Sequence, residues 1–151
     1  ALPEGKTGSF RKDEQYAVYS GPSESYYRAA NGKALVSTND WIQVFGYENG
    51  MVLIQYAISS KQSRFGYIPA EAVADPSQLE VLEPAYLPAI VAKACSLTDD
   101  PLKTKGEVAR LNEGESVQYL ATFGSEWTYV ETLTAPPMRG FVPSEAILIS
   151  E

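Results

Sequence analysis

Among residue types that commonly carry catalysis, the 151-residue chain has no histidine, a single cysteine and nineteen Asp or Glu. Without histidine, neither a Ser-His-Asp nor a Cys-His nucleophile can be assembled, and the commonest zinc ligand is missing. Cys95 has only Lys93 as a basic neighbour in sequence. It therefore reads as a small buried hydrophobe rather than an activated thiolate. The carboxylates are no better placed. Asp99-Asp100-Pro101 reads as a turn, since Asp readily bonds its own backbone, and no EF-hand spacing surrounds it. Glu126 and Glu131 are five apart on one strand and so point to opposite faces, which fails the geometry of a glycosidase pair. No glycine-rich phosphate loop follows a strand and opens a helix. The expectation is a non-enzyme with no cofactor and no metal.

Aromatic side chains carry what binding signal there is, with ten Tyr, five Phe and two Trp. Tyr26, Tyr27 and Arg28 fall in a long loop running from Gly21 to Ser37. Trp41, Tyr47, Tyr56 and Tyr67 fall on neighbouring strands, and Trp127, Tyr129 and Phe141 form the corresponding group further along, beside Phe123. Any one of these rings could instead fill a small core. Read as a surface, they make a shallow groove that stacks on sugar faces or on a peptide stem.

Those side chains need a scaffold, and the punctuation of the chain says which. Gly, Pro, Asn, Asp and Ser clusters recur every eight to twelve residues and helical periodicity is scarce, the rhythm of an all-β barrel or sandwich. Strands are expected at Gln15–Tyr19, Trp41–Tyr47, Met51–Ile58 and Arg64–Pro69, with a hairpin turn at Glu48-Asn49-Gly50. A second set is expected at Val91–Leu97, Glu107–Leu111, Glu115–Thr122, Trp127–Leu133 and Arg139–Pro143, with its turn at Gly124-Ser125-Glu126. Simple alternation puts Ile42, Val44 and Gly46 on one face and Trp41, Gln43, Phe45 and Tyr47 on the other. The aliphatic side is expected to face the core, which leaves Trp41, Tyr47, Trp127 and Tyr129 on the outer side or at a contact between the two modules.

The two sets are copies. Gly66-Tyr67-Ile68-Pro69-Ala70-Glu71-Ala72-Val73 returns as Gly140-Phe141-Val142-Pro143-Ser144-Glu145-Ala146-Ile147, a constant offset of 74. Ile42-Gln43 answers Val117-Gln118 at offset 75, and Met51–Ile54 answers Trp127–Val130 at 76. Such drift is what loop insertions produce. The first strands align only loosely, Tyr16–Ser20 against Ala92–Leu97. The domains are expected at 1–74 and 89–151. The Pro-containing segment 75–88 is read as a stiff linker whose Leu79, Val81 and Leu82 pack or pair as an extra strand. Each copy should end in a single 3₁₀ turn after Pro69 or Pro143.

Charge separates the halves. Residues 1–74 hold seven Lys/Arg and seven Asp/Glu, while 75–151 hold five and twelve, which gives the whole-chain net of −7. An acidic half repels phosphate polymers, so nucleic acid and anionic wall or membrane polymers are poor partners, and no nucleic-acid binding is expected. No apolar run is long enough to span a bilayer as a helix, so no membrane insertion is expected. The chain begins with Ala1 rather than Met, which reads as a processed or trimmed product.

The phrase Gly66 to Val73 resembles the last strand and 3₁₀ turn of SH3 (Src-homology-3) domains. Tyr19-Ser20-Gly21-Pro22-Ser23-Glu24-Ser25-Tyr26-Tyr27 is similar to the first-strand and loop signature of the bacterial SH3 family, SH3b. Asn112-Glu113-Gly114-Glu115-Ser116-Val117 followed by Trp127-Thr128-Tyr129-Val130 is similar to its middle hairpin. The resemblance implies an all-β chain of two tandem SH3-like small barrels packed together. It further implies a secreted or bacterial-envelope location and a non-catalytic binding role toward cell-wall peptide, glycan or another protein. Eukaryotic SH3 domains build a proline-binding ridge from a Tyr in the 3₁₀ turn and a Trp opening the central hairpin. Here Ala72 and Ala146 hold the first position and Met51 the second in copy one, although Trp127 keeps it in copy two. The expected function is therefore a targeting module of a bacterial envelope or secreted protein. The alternative is a protein–protein adaptor or spacer with an acidic second domain.

Overall fold

The computed structural model describes residues 2–8, 10–75, 79–101 and 107–150. Ala1, Pro76 and Glu151, which belong to the expected arm, linker and second copy, lie outside these. Thirteen strands are described: β1 Lys6–Thr7, β2 Gln15–Ala17, β3 Leu35–Ser37, β4 Ile42–Glu48, β5 Met51–Ala57, β6 Ser63–Pro69, β7 Leu87–Val91, β8 Cys95–Thr98, β9 Glu107–Leu111, β10 Ser116–Phe123, β11 Trp127–Thr132, β12 Arg139–Pro143 and β13 Ile147–Ile149. Among the described residues, helical structure is confined to a single turn at Ala29–Gly32 and 3₁₀ turns at Ala70–Ala72 and Ser144–Ala146. The fold is nearly all-β, and the ladders between the described strands are antiparallel.

The chain forms two compact units, Pro3–Glu83 and Pro84–Glu151 with Ala1–Leu2. In the first unit, strands order as β1-β4-β5-β6, with β2-β3 as a separate pair; in the second they order as β13-β7-β10-β11-β12-β8-β9. None of these sheets closes on itself as a hydrogen-bonded barrel, where closed barrels were expected. In the first unit, single bridges at Phe10–Val73 and Tyr19–Tyr67 stand where a closed barrel would need ladders. The expected strand Val91–Leu97 is also two strands, β7 and β8, separated by a bend at Ala92-Lys93-Ala94.

Each unit has its own apolar core. The first gathers Val18, Val36, Ile42, Val44, Val52, Ile54, Tyr56, Ile68 and Ala72; the second gathers Ala89, Val91, Cys95, Leu97, Val117, Val130, Val142 and Ala146. Ile42, Ile54, Ile68 and Ala72 have as repeat counterparts Val117, Val130, Val142 and Ala146, so the aliphatic swaps between copies occur at buried positions. The turns agree in detail as well. Ala70 N–H donates to Gly50 O at 3.0 Å, and its counterpart Ser144 N–H donates to Glu126 O at 2.9 Å.

Two further features recur at matching positions. Gly66 and Gly140 are required by close approach rather than by backbone conformation. A Cβ on Gly66 would lie 2.4 Å from Val18 Cγ1 and 3.1 Å from Tyr19 O; on Gly140 it would lie 2.8 Å from Thr98 O and 2.9 Å from Leu97 Cδ1. The structure thus equates Val18-Tyr19 with Leu97-Thr98, a register the loose sequence alignment of the first strands did not give. The second feature is a bulge. The β4–β5 register jumps between Val44 and Gly46, and the β10–β11 register jumps between Tyr119 and Ala121. Phe45 and Leu120 are the extra residues, and both are buried.

A bulge adds one residue to one strand and reverses the in/out phase beyond it. Ile42 and Val44 point into the core as expected, but past Phe45 the phase flips and Tyr47 packs against that same core. The outward assignment of Tyr47 is corrected accordingly. Its backbone is also occupied: Tyr47 N–H donates to Glu80 O and Leu82 N–H donates to Tyr47 O, each at 2.7 Å, as Val81 runs parallel to the strand.

Candidate functional site

The first unit carries a cleft of about 310 Å³ where three segments converge. Its floor is Ala17 and Tyr19, one wall is the loop Pro22-Ser23-Glu24, and the other is Asn49, Met51 and Pro69. The wall positions follow from local chemistry. Asn49 (φ 54°) and Gly50 (φ 77°) both adopt the left-handed conformation that a two-residue hairpin turn demands. The turn aims the Asn49 side chain across the gap, where Nδ2 donates to Pro22 O at 3.0 Å. That bond ties the β4–β5 turn to the loop and fixes the width of the cleft.

The loop itself is folded on Gly21. A Cβ there would meet the Tyr26 ring at 2.2 Å, so the ring lies directly on the glycine. Ser20 N–H donates to Tyr27 O at 2.8 Å, and Ser23 and Ser25 hydroxyls lie 2.6 Å apart. Arg28 closes the loop by donating from Nε (3.1 Å) and Nη2 (2.8 Å) to Ala34 O, with its guanidinium 5.6 Å from the centre of the Tyr19 ring. Tyr26, Tyr27 and Arg28 therefore shape the cleft from behind rather than line it. Arg28 holds the Tyr19 ring that forms its floor.

The remaining expected site residues separate into distinct places. Trp41 is 43% exposed and sits at a different cleft of the same unit, among Phe10, Arg11, Lys12 and Asp40. Trp127 is half-buried at the start of β11, opposite Pro143. Four of the expected ligand residues are not on the surface at all. Tyr56 lies in the first core, where its hydroxyl accepts from Arg64 Nη1 at 3.1 Å. Tyr67 is fully buried and its hydroxyl donates to Glu48 Oε1 at 2.9 Å. In the second unit, Tyr129 and Phe141 are buried and packed at a tilt with ring centres 4.7 Å apart, with the Phe123 ring centre 5.3 Å from that of Phe141. The physical reason is shared: in so small a unit, both faces of the central hairpin are covered, so rings on its non-aliphatic face are enclosed as well.

The cleft residues Tyr19, Pro22, Ser23, Glu24, Asn49, Met51 and Pro69 were not among the expected ligand residues. Pro22, Ser23 and Glu24 belong to the long loop Gly21 to Ser37, whose length favours the first copy as the ligand side, and Asn49 belongs to the Asn-Gly turn, whose sequence signals a hairpin and not a binding wall.

Charged and reactive side chains elsewhere have structural roles. Arg139 is buried in the second unit: Nε pairs with Glu131 Oε1 at 2.8 Å, Nη2 donates to Tyr86 OH at 2.6 Å, and the guanidinium lies 5.7 Å from the centre of the Tyr86 ring. Its repeat counterparts are Phe65 and Gln55, which face each other across β5 and β6 as Glu131 and Arg139 do across β11 and β12. Cys95 belongs to the second core, and burial raises its thiol pKa. Among the described residues, no group of three or more Cys, Asp or Glu is placed to hold a metal ion.

Comparison with known proteins gives one kind of likeness. No family model matches the chain, and no curated protein matches it. Among solved structures it is similar to those of NlpC2 and NlpC1 from Trichomonas vaginalis, at 10% and 12% identity and a TM-score of 0.40 in each case. The alignments take in 99% of this chain and 50% and 48% of those two, so the chain spans about half the length of the structures it matches.

Proposed function

We propose that each unit is an SH3-like module of the bacterial kind, and that the chain is a non-catalytic binding element acting outside the cytoplasm on cell-wall peptide. The duplication of core, bulge, tight glycine and closing 3₁₀ turn supports the tandem reading. The observation that carries the binding reading is the cleft of about 310 Å³ between Tyr19, the 22–24 loop and Met51. At that size, near the lower end of small-ligand sites, it takes a few residues of extended peptide rather than a folded domain. Ser23, Glu24 and Asn49 at its rim offer hydroxyl, carboxylate and amide groups, while Tyr19, Met51 and Pro69 supply apolar surface.

The test is co-sedimentation with purified peptidoglycan, competed by glycan-free stem peptide. Binding that the peptide displaces, and that Ser23→Trp abolishes by filling the cleft, is the expected result. Protein left in the supernatant, or binding indifferent to Ser23→Trp, would overturn the reading. The alternative, a protein adaptor, is favoured by the net charge of −7 carried by residues 75–151. Capture of a basic protein partner that is lost as salt rises would decide for it.

A further inference from the structure

A third cleft of the first unit, about 380 Å³, lies along the edge of β4 that faces away from β5. Two short segments pair with that edge at separate places. β1 pairs with Gln43 and Val44, whereas the chain at 80–82 runs beside Tyr47 and is bonded to it through Glu80 O and Leu82 N–H. The bulge residue Phe45 falls in the interval between them. Glycines let both segments lie close to β4: a Cβ on Gly8 would meet Val44 Cγ2 at 2.9 Å, and one on Gly46 would meet Leu82 Cδ2 at 2.5 Å. The floor left between them is apolar. Val44, Phe45 and Val73 line it, each with 5% or less of its surface exposed, and Leu79 lies beside them.

The charged residues of this lining are Glu4, Lys6, Asp75 and Glu80. Lys6 Nζ lies 3.7 Å from Glu80 Oε1, so an ammonium from one segment meets a carboxylate from the other. Among the described residues, Glu4 makes neither a hydrogen bond nor an ion pair. Asp75 has an interaction of its own, and the balance holds without it: Glu4 and Glu80 against Lys6 leave one carboxylate in excess. The adjoining cleft, which shares Thr7 and Gly8, does not reverse that sign. There Arg11 and Lys12 stand among Asp13, Glu14 and Asp40, two cations against three carboxylates that stay charged when hydrogen-bonded. Residues 3–83 together hold seven Lys/Arg and ten Asp/Glu, a net of −3.

The Lys6–Glu80 pair shows what chemistry the cleft accepts. An ammonium on a flexible alkyl stem reaches from one wall to the carboxylate of the other. Its side chains are 70% and 59% exposed, and a pair so exposed contributes about 0–1 kcal/mol, so a second ammonium displaces it at little cost. An apolar floor beneath surplus carboxylate suits a group of the same build, with its stem on the floor and its head in charge-assisted bonds. At about 380 Å³ the space falls among small-ligand sites, which begin near 300 Å³. We infer that this cleft binds an alkylammonium group, with its stem over Val44, Phe45 and Val73 and its head between Glu4 and Glu80. Lys6 is the internal competitor for that place. The site is separate from the peptide cleft and does not rest on that reading.

The probe is Nα-acetyl-lysine N-methylamide, compared by calorimetry and amide chemical shifts with its norleucine counterpart, which keeps the stem and lacks the ammonium. Saturable binding of the lysine compound is expected, about fivefold tighter than the norleucine compound, with shifts at Thr7, Gly8, Val44 and Val73. Glu4→Gln/Glu80→Gln should remove that preference, a fivefold loss matching about 1 kcal/mol for exposed charge pairs. Lys6→Met removes the competitor and should tighten binding by about two- to fivefold. All three residues are exposed, so either set of substitutions tests the site if the other fails to fold. A third probe, 1,5-diaminopentane, tells the two sources apart: tighter binding than the lysine compound assigns the cleft to free amines, weaker binding to a peptide's lysine, and either supports the site. Equal affinity for the lysine and norleucine compounds, no binding at millimolar concentration, or weaker binding by Lys6→Met would overturn the inference. Binding should survive Ser23→Trp; its loss there would put the compound in the peptide cleft instead and overturn it too.

Discussion

Adding one methyl group at Gly66 tests the packing of the first unit at its tightest point. The new Cβ would lie 2.4 Å from Val18 Cγ1, whereas carbon atoms in contact prefer about 3.5–4.0 Å. One of the two must move by more than about 1 Å in a core where Val18 is 2% exposed. Overpacking of this kind costs about 1–3 kcal/mol, offset by about 0.4–1 from the stiffer unfolded chain, so Gly66→Ala should lose about 1–2 kcal/mol. Val18→Ala alone removes two buried methyl groups and should lose about 2–3 kcal/mol. Together the two fit, since the added methyl occupies the space that Cγ1 vacates. The double variant should be no less stable than Val18→Ala, which gives a coupling of about 1–2 kcal/mol in a double-mutant cycle. At Gly140 the nearest atom is Thr98 O at 2.8 Å, which is backbone and cannot be trimmed, so Leu97→Ala should rescue Gly140→Ala only weakly. Urea unfolding followed by circular dichroism measures all of these. Additive costs at Gly66 and Val18, within about 0.5 kcal/mol, would refute the close approach on which the repeat's glycine is explained.

Three further outcomes are expected. Glu131→Ala leaves the Arg139 guanidinium buried without its carboxylate and should cost about 3–5 kcal/mol, whereas Glu131→Gln with Arg139→Phe, copying the Gln55–Phe65 pair, should cost less than either single change; thermal melts decide, and a double variant worse than both singles would contradict it. Ala30 holds a left-handed φ of 56°, so Ala30→Gly should gain about 0.5–1 kcal/mol in urea unfolding; a loss would contradict the strain assigned to that turn. The Cys95 thiol is raised by burial above its unfolded value, so the folded state keeps a proton that the unfolded state gives up. Its contribution is fully present below about pH 8.5 and is lost as pH climbs toward the folded value. Cys95→Ala should flatten the decline in stability across that window, and an unchanged pH profile would contradict the burial.

The repeat made the cores readable because its substitutions are aliphatic for aliphatic at buried sites, as with Ile68 and Val142 or Ile54 and Val130. The hairpin turn and the 3₁₀ closures were readable from backbone chemistry: Asn-Gly tolerates the positive φ that a tight turn demands, and Pro fixes φ at the start of each closure. Phe45 and Leu120 mark what was not readable. Alternation counts residues, and a bulge inserts one without changing composition, so Tyr47 was assigned to the wrong face. Two-residue β1, Lys6–Thr7, carries no pattern at all and is paired only through its backbone to Val44 and Gln43. The expected aromatic groove failed differently. Tyr56, Tyr67, Tyr129 and Phe141 have the composition of a binding surface, but in units this small the same rings are needed inside. What marks the cleft is the Asn49 bond to Pro22 O and the ring of Tyr26 on Gly21, tertiary contacts between segments that no local pattern joins.

Amide chemical shifts of the ¹⁵N-labelled chain, followed during titration with a synthetic wall stem peptide, test the central claim most directly. Saturable changes largest at Ala17, Tyr19, Ser23, Glu24, Asn49 and Met51 are the predicted result, all six lining one cleft. Changes confined to residues 84–150, or none at millimolar peptide, would contradict it.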